Sequence, residues 1–170
     1  LMKYQTSLLE DWIDRLYIQV GIRSPDQLDF KIISERLRIP LDIRNLSSRI
    51  YEGEIIIDSR ITPEEQWQEF GHELCHKLRH AGNQMFMPRP FFQLQEFQAN
   101  YFAYHFCIPT FMLQKLDIPR SRREAIYLIA VTFGVTCEFA EKRLQMYEEK
   151  LHVLKCSETS QAFVSNSLNI

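Results

Sequence analysis

Two histidines and a glutamate lie close together in the stretch EFGHELCHKLRH, which covers residues 69–80. His72 and His76 are four residues apart, and Glu73 follows the first of them. On an α-helix, with about 100° of rotation per residue, all three side chains face one sector, and the imidazoles lie about one turn apart. Two imidazoles placed in this way can bind one metal ion. This HExxH pattern is typical of zinc peptidases, in which the histidines bind Zn²⁺ and the glutamate is a general base.

A candidate for a third ligand, Glu96, follows His76 by 20 residues. A catalytic zinc site needs three protein ligands and one position for water. On a helix, Glu96 shares a stripe with the small or polar residues Ala99, Asn100 and Ala103, which would let two helices pack closely. Asn100 could accept a hydrogen bond from the outer nitrogen of a ligating histidine. The alternatives are a helix with surface histidines and a glutamate that only caps or solvates its own helix.

Other side chains near these segments are expected to have structural roles, or are candidates between which the sequence does not decide. His80 lies one turn beyond the motif, about 6 Å farther along the helix, and is expected as a cation at the helix C-terminus and not as a ligand. His105 lies on the opposite side of its helix from the carboxylate and is expected to be packed or at the surface. Cys75 is expected to be structural. Tyr51 and Tyr104 are both candidates to stabilise the reaction's oxyanion, and the sequence does not choose between them.

Capping residues and hydrophobic periodicity place these side chains on elements. Ser7 with Glu10, and Thr62 with Glu65, form capping boxes that begin two of the helices, while Gly82 would end the second. The predicted elements are N-terminal helices at 7–38, the second of them beginning at Ser24, a small antiparallel sheet at 41–58, zinc helices at 63–81 and 93–107, C-terminal helices at 122–151 and a polar tail at 155–170. We therefore predict a mainly helical α+β fold in a single domain, residues 1–154.

Composition limits the class of partner and compartment. The 170 residues, 45% of them hydrophobic, suit one domain, and 20 basic against 22 acidic residues leave a charge of -2, which favours neither nucleic acid nor an anionic membrane. The four cysteines form no CxxC pair, and the chain shows no signal peptide or long apolar span, so we expect a cytoplasmic protein.

The two helices around Gly134 have the turn length of a helix-turn-helix, but mixed charges on the second favour packing or repressor docking over DNA binding.

Both motif segments resemble the ImmA/IrrE family of small metallopeptidases. The resemblance is loose from about residue 24 to 151 and strongest at the two predicted zinc helices. It implies a minimal gluzincin-like zinc peptidase fold. Gly71 and Cys75 depart from the family, which commonly has alanine and glycine there, and could change how closely a substrate approaches the helix. The matching residues are Phe70, His72, Glu73, His76, Glu96, Ala99, Asn100, Phe102, Ala103 and Pro109.

The resemblance implies an intracellular zinc-dependent endopeptidase that cuts a specific protein. The expected substrate is a helix-turn-helix transcriptional repressor of a phage or mobile element, and its cleavage would cause derepression. In this interpretation His72, His76 and Glu96 hold Zn²⁺ and Glu73 is the catalytic base. No direct contact with nucleic acid or membrane is expected. One alternative is a non-proteolytic antirepressor that binds and masks the repressor, and another is a structural-zinc or toxin-like module.

Overall fold

The computed structural model describes residues 4–80 and 87–167, with side-chain surroundings through residue 154. The elements confirm a mainly helical α+β fold. No helix within these ranges is both long and apolar enough to cross a membrane. In chain order the elements are α1 (Leu8–Gln19), α2 (Phe30–Leu37), β1 (Leu41–Arg44), β2 (Arg49–Tyr51), β3 (Glu54–Asp58), α3 (Pro63–Arg79), α4 (Arg89–Cys107), α5 (Thr110–Leu113), α6 (Arg122–Phe133) and α7 (Cys137–Ser167).

The N-terminal region contains two separate helices, and the second is shorter than predicted. In α1 the predicted capping box is present: the Ser7 N–H donates to the Glu10 carboxylate, and Ser7 Oγ accepts from the Glu10 N–H. The predicted continuous helix from Ser24 is instead a short 3₁₀ turn (Pro25–Gln27) followed by α2. Asp29 causes the break because its carboxylate caps the first backbone N–H groups of α2 and so fixes a new helix start.

The sheet has three strands in the order β1-β3-β2, and only one of its two pairs is antiparallel. The prediction of a purely antiparallel sheet is corrected by the β1–β3 pair, which is parallel with Leu41 opposite Ile55. The most apolar strand, β3, takes the centre with Ile55, Ile56 and Ile57 buried. A tight turn at Glu52 and Gly53, both with positive φ, makes β2 and β3 a hairpin, so β2 pairs on one side of β3 and β1 occupies the other.

Helices α3 and α4 pack tightly at a point where α3 has no side chain. A Cβ atom added to Gly71 would lie 3.0 Å from Cys107 Sγ and 3.5 Å from the Cα of Ala103. Gly71 therefore faces α4, and its departure from the family pattern affects helix packing and not the approach of a substrate. Helix α3 ends at Arg79, before the predicted residue 81, and α4 begins at Arg89, four residues before the prediction. The predicted stop at Gly82 lies outside the described residues.

The C-terminal helices α6 and α7 pack against each other, and α7 also contacts α4. Gly134 has a φ of 63° and ends α6 in a left-handed conformation. Helix α7 then runs to Ser167, well beyond the predicted end at residue 151, so the backbone of most of the predicted 155–170 tail is helical. Residues 168–170 lie outside the described residues. The single domain at 1–154 stays a prediction.

A buried polar network ties α1 to α5 and α7. The Glu10 carboxylate accepts hydrogen bonds from Tyr4 Oη (2.6 Å), Thr110 Oγ1 (2.6 Å) and Lys150 Nζ. The Arg143 guanidinium, which is fully buried, lies 4.0 Å from the same carboxylate and donates to Thr110 Oγ1. Burial alone would raise the pKa of Glu10, but these hydrogen bonds outweigh it and hold the pKa well below its ordinary value.

Replacing Glu10 by Gln should destabilise the protein by about 3 kcal/mol at pH 7, because it leaves the buried Arg143 and the partly buried Lys150 without their carboxylate. The folded-state pKa lies below the unfolded value of about 4.3, so the contribution is present above that pH and is lost as pH falls below it. Urea unfolding at pH 7, 5 and 3.5 should show the gap between wild type and variant closing at low pH. Glu35→Gln, an exposed change on α2, is the control, and an equal gap at all three pH values would contradict the account.

Candidate metal centre

The side chains of His72, His76 and Glu96 meet between α3 and α4. The Nε2 atoms of the two histidines are 3.0 Å apart. The Glu96 carboxylate oxygens lie 3.4 Å from His72 Nε2 and 3.2 Å from His76 Nε2. One ligand atom from each residue falls within 4.8 Å of the other two. Three donor atoms from two helices thus converge on one point, as the sequence predicts for ligands of a single ion.

Core packing of one face of α3 and small residues on the facing side of α4 fix this convergence. On α3, Trp67, Phe70 and Leu74 are buried in the core, so the polar histidine face turns toward α4. On α4, Ala99 and Ala103 are buried and allow the close approach described for Gly71. The histidines are therefore presented by a helix whose rotation is set by its apolar side.

Asn100 holds the outer nitrogen of one histidine. Its Oδ1 lies 3.0 Å from His72 Nδ1. An imidazole that offers Nε2 to a metal carries its proton on Nδ1, so His72 can donate this proton to the Asn100 amide oxygen. The structure therefore places Asn100 where the sequence predicts it, one turn after Glu96.

His80 has a different environment from the one expected for a free cation at a helix end. Its Nδ1 lies 2.9 Å from His76 Nδ1, and its Nε2 lies 3.1 Å from Gln98 Oε1. Burial lowers the pKa of His80, which disfavours the charged form. It is not a member of the converging ligand group. The four-residue spacing from His72 through His76 to His80 was a sequence signal for the contact between His76 and His80. No sequence pattern indicated Gln98.

Burial and neighbouring charges shift the acid-base properties of the site. Burial, with the negative charges of Glu69 and Glu96, raises the pKa of Glu73 to about 7, while the positive charge of Arg49 on β2 opposes the shift. Burial also lowers the pKa of His76 to about 4, so that its imidazole is neutral at pH 7. A neutral imidazole has the lone pair that a metal needs. No sequence pattern indicated Glu69 or Arg49, because their proximity to Glu73 depends on helix rotation and strand order.

The remaining candidates occupy separate places. Tyr51 is exposed at the end of β2, the strand that packs against α3, whereas the Tyr104 ring lies 4.4 Å from the ring of Phe139 on α7. Both stay predictions as oxyanion stabilisers. His105 is buried and donates from Nδ1 to a backbone carbonyl, which agrees with a packed histidine. Cys75 is buried, and its Sγ lies 3.9 Å from the backbone carbonyl oxygen of Gln98 on α4, in agreement with a structural role.

The donor set suits a zinc ion. Two imidazole nitrogens and one carboxylate oxygen are the protein ligands of one common class of catalytic zinc site. The environment fits because His76 is held neutral and His72 has an acceptor for its outer proton. Three ligands leave a coordination position for water or substrate, which separates this arrangement from a closed structural site.

The chain is similar to a family of peptidases and to two proteins of Bacillus subtilis. The family model Peptidase M78, described as the IrrE N-terminal-like domain, matches residues 31–145, which include all three converging residues. The chain is 46% identical over 148 residues to "Phage-like element PBSX protein XkdA" of Bacillus subtilis (strain 168), covering 85% of this chain and 75% of that protein. It is 42% identical over 156 residues to "Uncharacterized protein YqaB" of the same organism, covering 88% of this chain and 90% of that protein.

Replacing Glu96 by Ala should weaken zinc binding by more than about 100-fold, because it removes one of three ligands, whereas loss of a supporting hydrogen bond in Asn100→Ala should cost about 10- to 100-fold. Both values can be measured by competition with a chromophoric chelator. Glu69→Gln removes a nearby carboxylate that is not in the converging group and serves as the control. Unchanged affinity in Glu96→Ala would contradict the ligand assignment.

Proposed function

The chain belongs to peptidase family M78, the family of IrrE N-terminal-like domains, and from this premise we propose that it is a zinc-dependent endopeptidase with one specific protein substrate. The observation that carries the proposal is the meeting of His72, His76 and Glu96 ligand atoms within 4.8 Å of one another. These atoms come from an HExxH helix and from a second helix, which is the arrangement that metal-assisted peptide hydrolysis needs.

His72, His76 and Glu96 would hold the zinc ion. Zn²⁺ bound by this set supplies a Lewis acid that lowers the pKa of water and polarises a peptide carbonyl. The protein supplies the orientation of the ligands through the α3–α4 contact and through the Asn100 hydrogen bond to His72. The site's chemistry therefore depends on how rigidly the two helices face each other.

Glu73 is the proposed general base and acid. Its carboxylate is buried beside His72, in the same sector of α3 as the two imidazoles. In this role it accepts a proton from the attacking water and then donates that proton to the nitrogen of the leaving amine. The negative charges of Glu69 and Glu96 and the positive charge of Arg49 surround this group and adjust its affinity for the proton.

The proposed substrate is a helix-turn-helix transcriptional repressor of a phage or mobile element, and cleavage would cause derepression. Two facts support this choice. The family resemblance implies such a target, and a relative that shares 46% of aligned residues is named as a protein of a phage-like element. The proposed reaction takes place in the cytoplasm, where a repressor acts, and requires no direct contact with nucleic acid or membrane.

The decisive experiment incubates the purified protein with a helix-turn-helix repressor of the mobile element that carries its gene, beginning with the product of the adjacent open reading frame. Wild type should cut the repressor, and Glu73→Gln should retain zinc but lose about 10²- to 10⁴-fold in cleavage rate, because only the proton transfer is removed. Gel electrophoresis and mass spectrometry measure the products, and metal analysis measures the zinc. Glu64→Gln, an exposed carboxylate in the first turn of the same helix, is the matched control.

Three outcomes would contradict the proposal. Full cleavage by Glu73→Gln would remove Glu73 from the reaction. Stoichiometric derepression that is insensitive to chelators and leaves the repressor intact would favour the antirepressor that only binds and masks its target. Unfolding of the chain on chelation would instead indicate a structural zinc, since a catalytic ion is expected to leave most of the fold in place.

A further inference from the structure

We propose that the groove between α1, the end of α3 and the first half of α4 docks a segment of the protein substrate away from the bond to be cut. This segment is apolar and carries an acidic side chain. The inference rests on the proposed function and adds a second contact surface for the same substrate. The groove has a volume of about 340 Å³. Its lining includes Leu9 from α1, Arg79 and His80 from the end of α3, and Phe97, Gln98 and Tyr101 from α4.

The first half of α4 is apolar but lies outside the core. None of its residues from Arg89 to Gln98 is buried, whereas six residues between Ala99 and Cys107 are. Exposed apolar surface concentrated on one helix is typical of a contact with another protein, because a partner that covers it releases water. The large side chains that are exposed by 37% to 67% are Phe91, Phe92, Leu94, Phe97 and Tyr101.

Four of these side chains form one stripe, the α4 stripe. At about 100° per residue, an arc of about 120° contains Phe91, Leu94, Phe97 and Tyr101. The rings of Phe97 and Tyr101 stack with their centroids 6.4 Å apart. Between positions 90 and 104 the only charged residue is Glu96, and its carboxylate lies beside the two imidazoles. The α4 stripe is therefore an uncharged surface, which suits apolar side chains of a partner.

One positive charge borders this uncharged surface. The Arg79 guanidinium lies over the ring of Trp12, 5.2 Å from its centroid. None of the ion pairs among the residues that the structure describes includes Arg79. The groove is lined by no Asp or Glu from those residues. Since a guanidinium binds a carboxylate strongly, charge complementarity calls for an acidic side chain on the segment that fills the groove.

The groove begins beside the metal centre, and for this reason we assign it to the substrate. His80 lines the groove, and its Nδ1 lies 2.9 Å from Nδ1 of the proposed ligand His76. Gln98 also lines it and lies two residues after Glu96 on α4. A protein with one segment in the groove would hold a neighbouring peptide bond close to the ligands. Docking of this kind raises the effective concentration of that bond at the site.

The test measures binding separately from cleavage. The probe is the same helix-turn-helix repressor, and its dissociation constant is measured by calorimetry with the Glu73→Gln protein, which is expected to keep zinc without cutting. In this background, Leu94→Gln combined with Phe97→Gln should weaken binding by about 10-fold, because apolar contact is lost and the helix is kept. The matched control is Tyr127→Gln with Val131→Gln on α6, whose side chains are exposed by 66% and 65%. The control pair should bind like the parent protein.

Kinetics of the active protein distinguish docking from an effect on the metal centre. The change at Leu94 and Phe97 should raise KM for the repressor by about 10-fold and leave kcat and zinc affinity unchanged. A short peptide that contains only the residues around the cut bond should be cleaved at the wild-type rate. Arg79→Gln should weaken repressor binding by about threefold and reduce its dependence on salt, because a charge is lost and the apolar surface is kept.

Several results would overturn the docking surface. They are equal binding by the stripe variant and the control variant, a loss confined to the control variant, no binding by the Glu73→Gln protein, and an unchanged salt dependence in Arg79→Gln. Self-association in sedimentation velocity that disappears in the stripe variant would also overturn it, because a second copy would then cover the groove. A repressor that binds through the α4 stripe but stays intact with the active protein would refute the proposed hydrolysis alone.

Discussion

The close contact between α3 and α4 is the constraint on which the site depends. A carboxylate on one helix reaches two imidazoles on the other only if the backbones approach closely, and a glycine in α3 opposite alanine and cysteine in α4 makes this approach possible. The apolar face of α3 sets its rotation, so that Trp67, Phe70 and Leu74 lie in the core and the histidines face the partner helix. Packing in the core thus decides the geometry of the polar centre.

The charge state of each buried ionisable group depends on whether hydrogen bonds to its charged form offset the cost of its burial. At the candidate metal centre, burial lowers the pKa of His76 and favours its neutral form, and the Asn100 amide oxygen on α4 lies within hydrogen-bond distance of the outer nitrogen of His72. In the network around Glu10, burial is instead offset by three donors, so that the carboxylate stays charged next to Lys150 and Arg143. The first arrangement suits ligand atoms, which need lone pairs, and the second holds α1, α5 and α7 around α4.

Sequence patterns predicted the chemistry of the site better than the details of the fold. The family resemblance is confirmed by the family match, and the helical period and the small-residue stripe were enough to bring His72, His76, Glu96 and Asn100 together, because these features are local to two helices. The parallel β1–β3 pair, the break at Asp29 and the contacts of His80 were not predicted. Each of these depends on competition between distant segments or on a side-chain orientation that no local period specifies.

The central claim is that one zinc ion is bound by two histidines and one carboxylate, and X-ray absorption spectroscopy of the zinc-loaded protein tests it most directly. The account predicts about one zinc per chain with nitrogen and oxygen neighbours at about 2.0 to 2.2 Å, multiple scattering from two imidazoles and no sulfur shell. A shell at about 2.3 Å from cysteine sulfur, or scattering from a single imidazole, would contradict it.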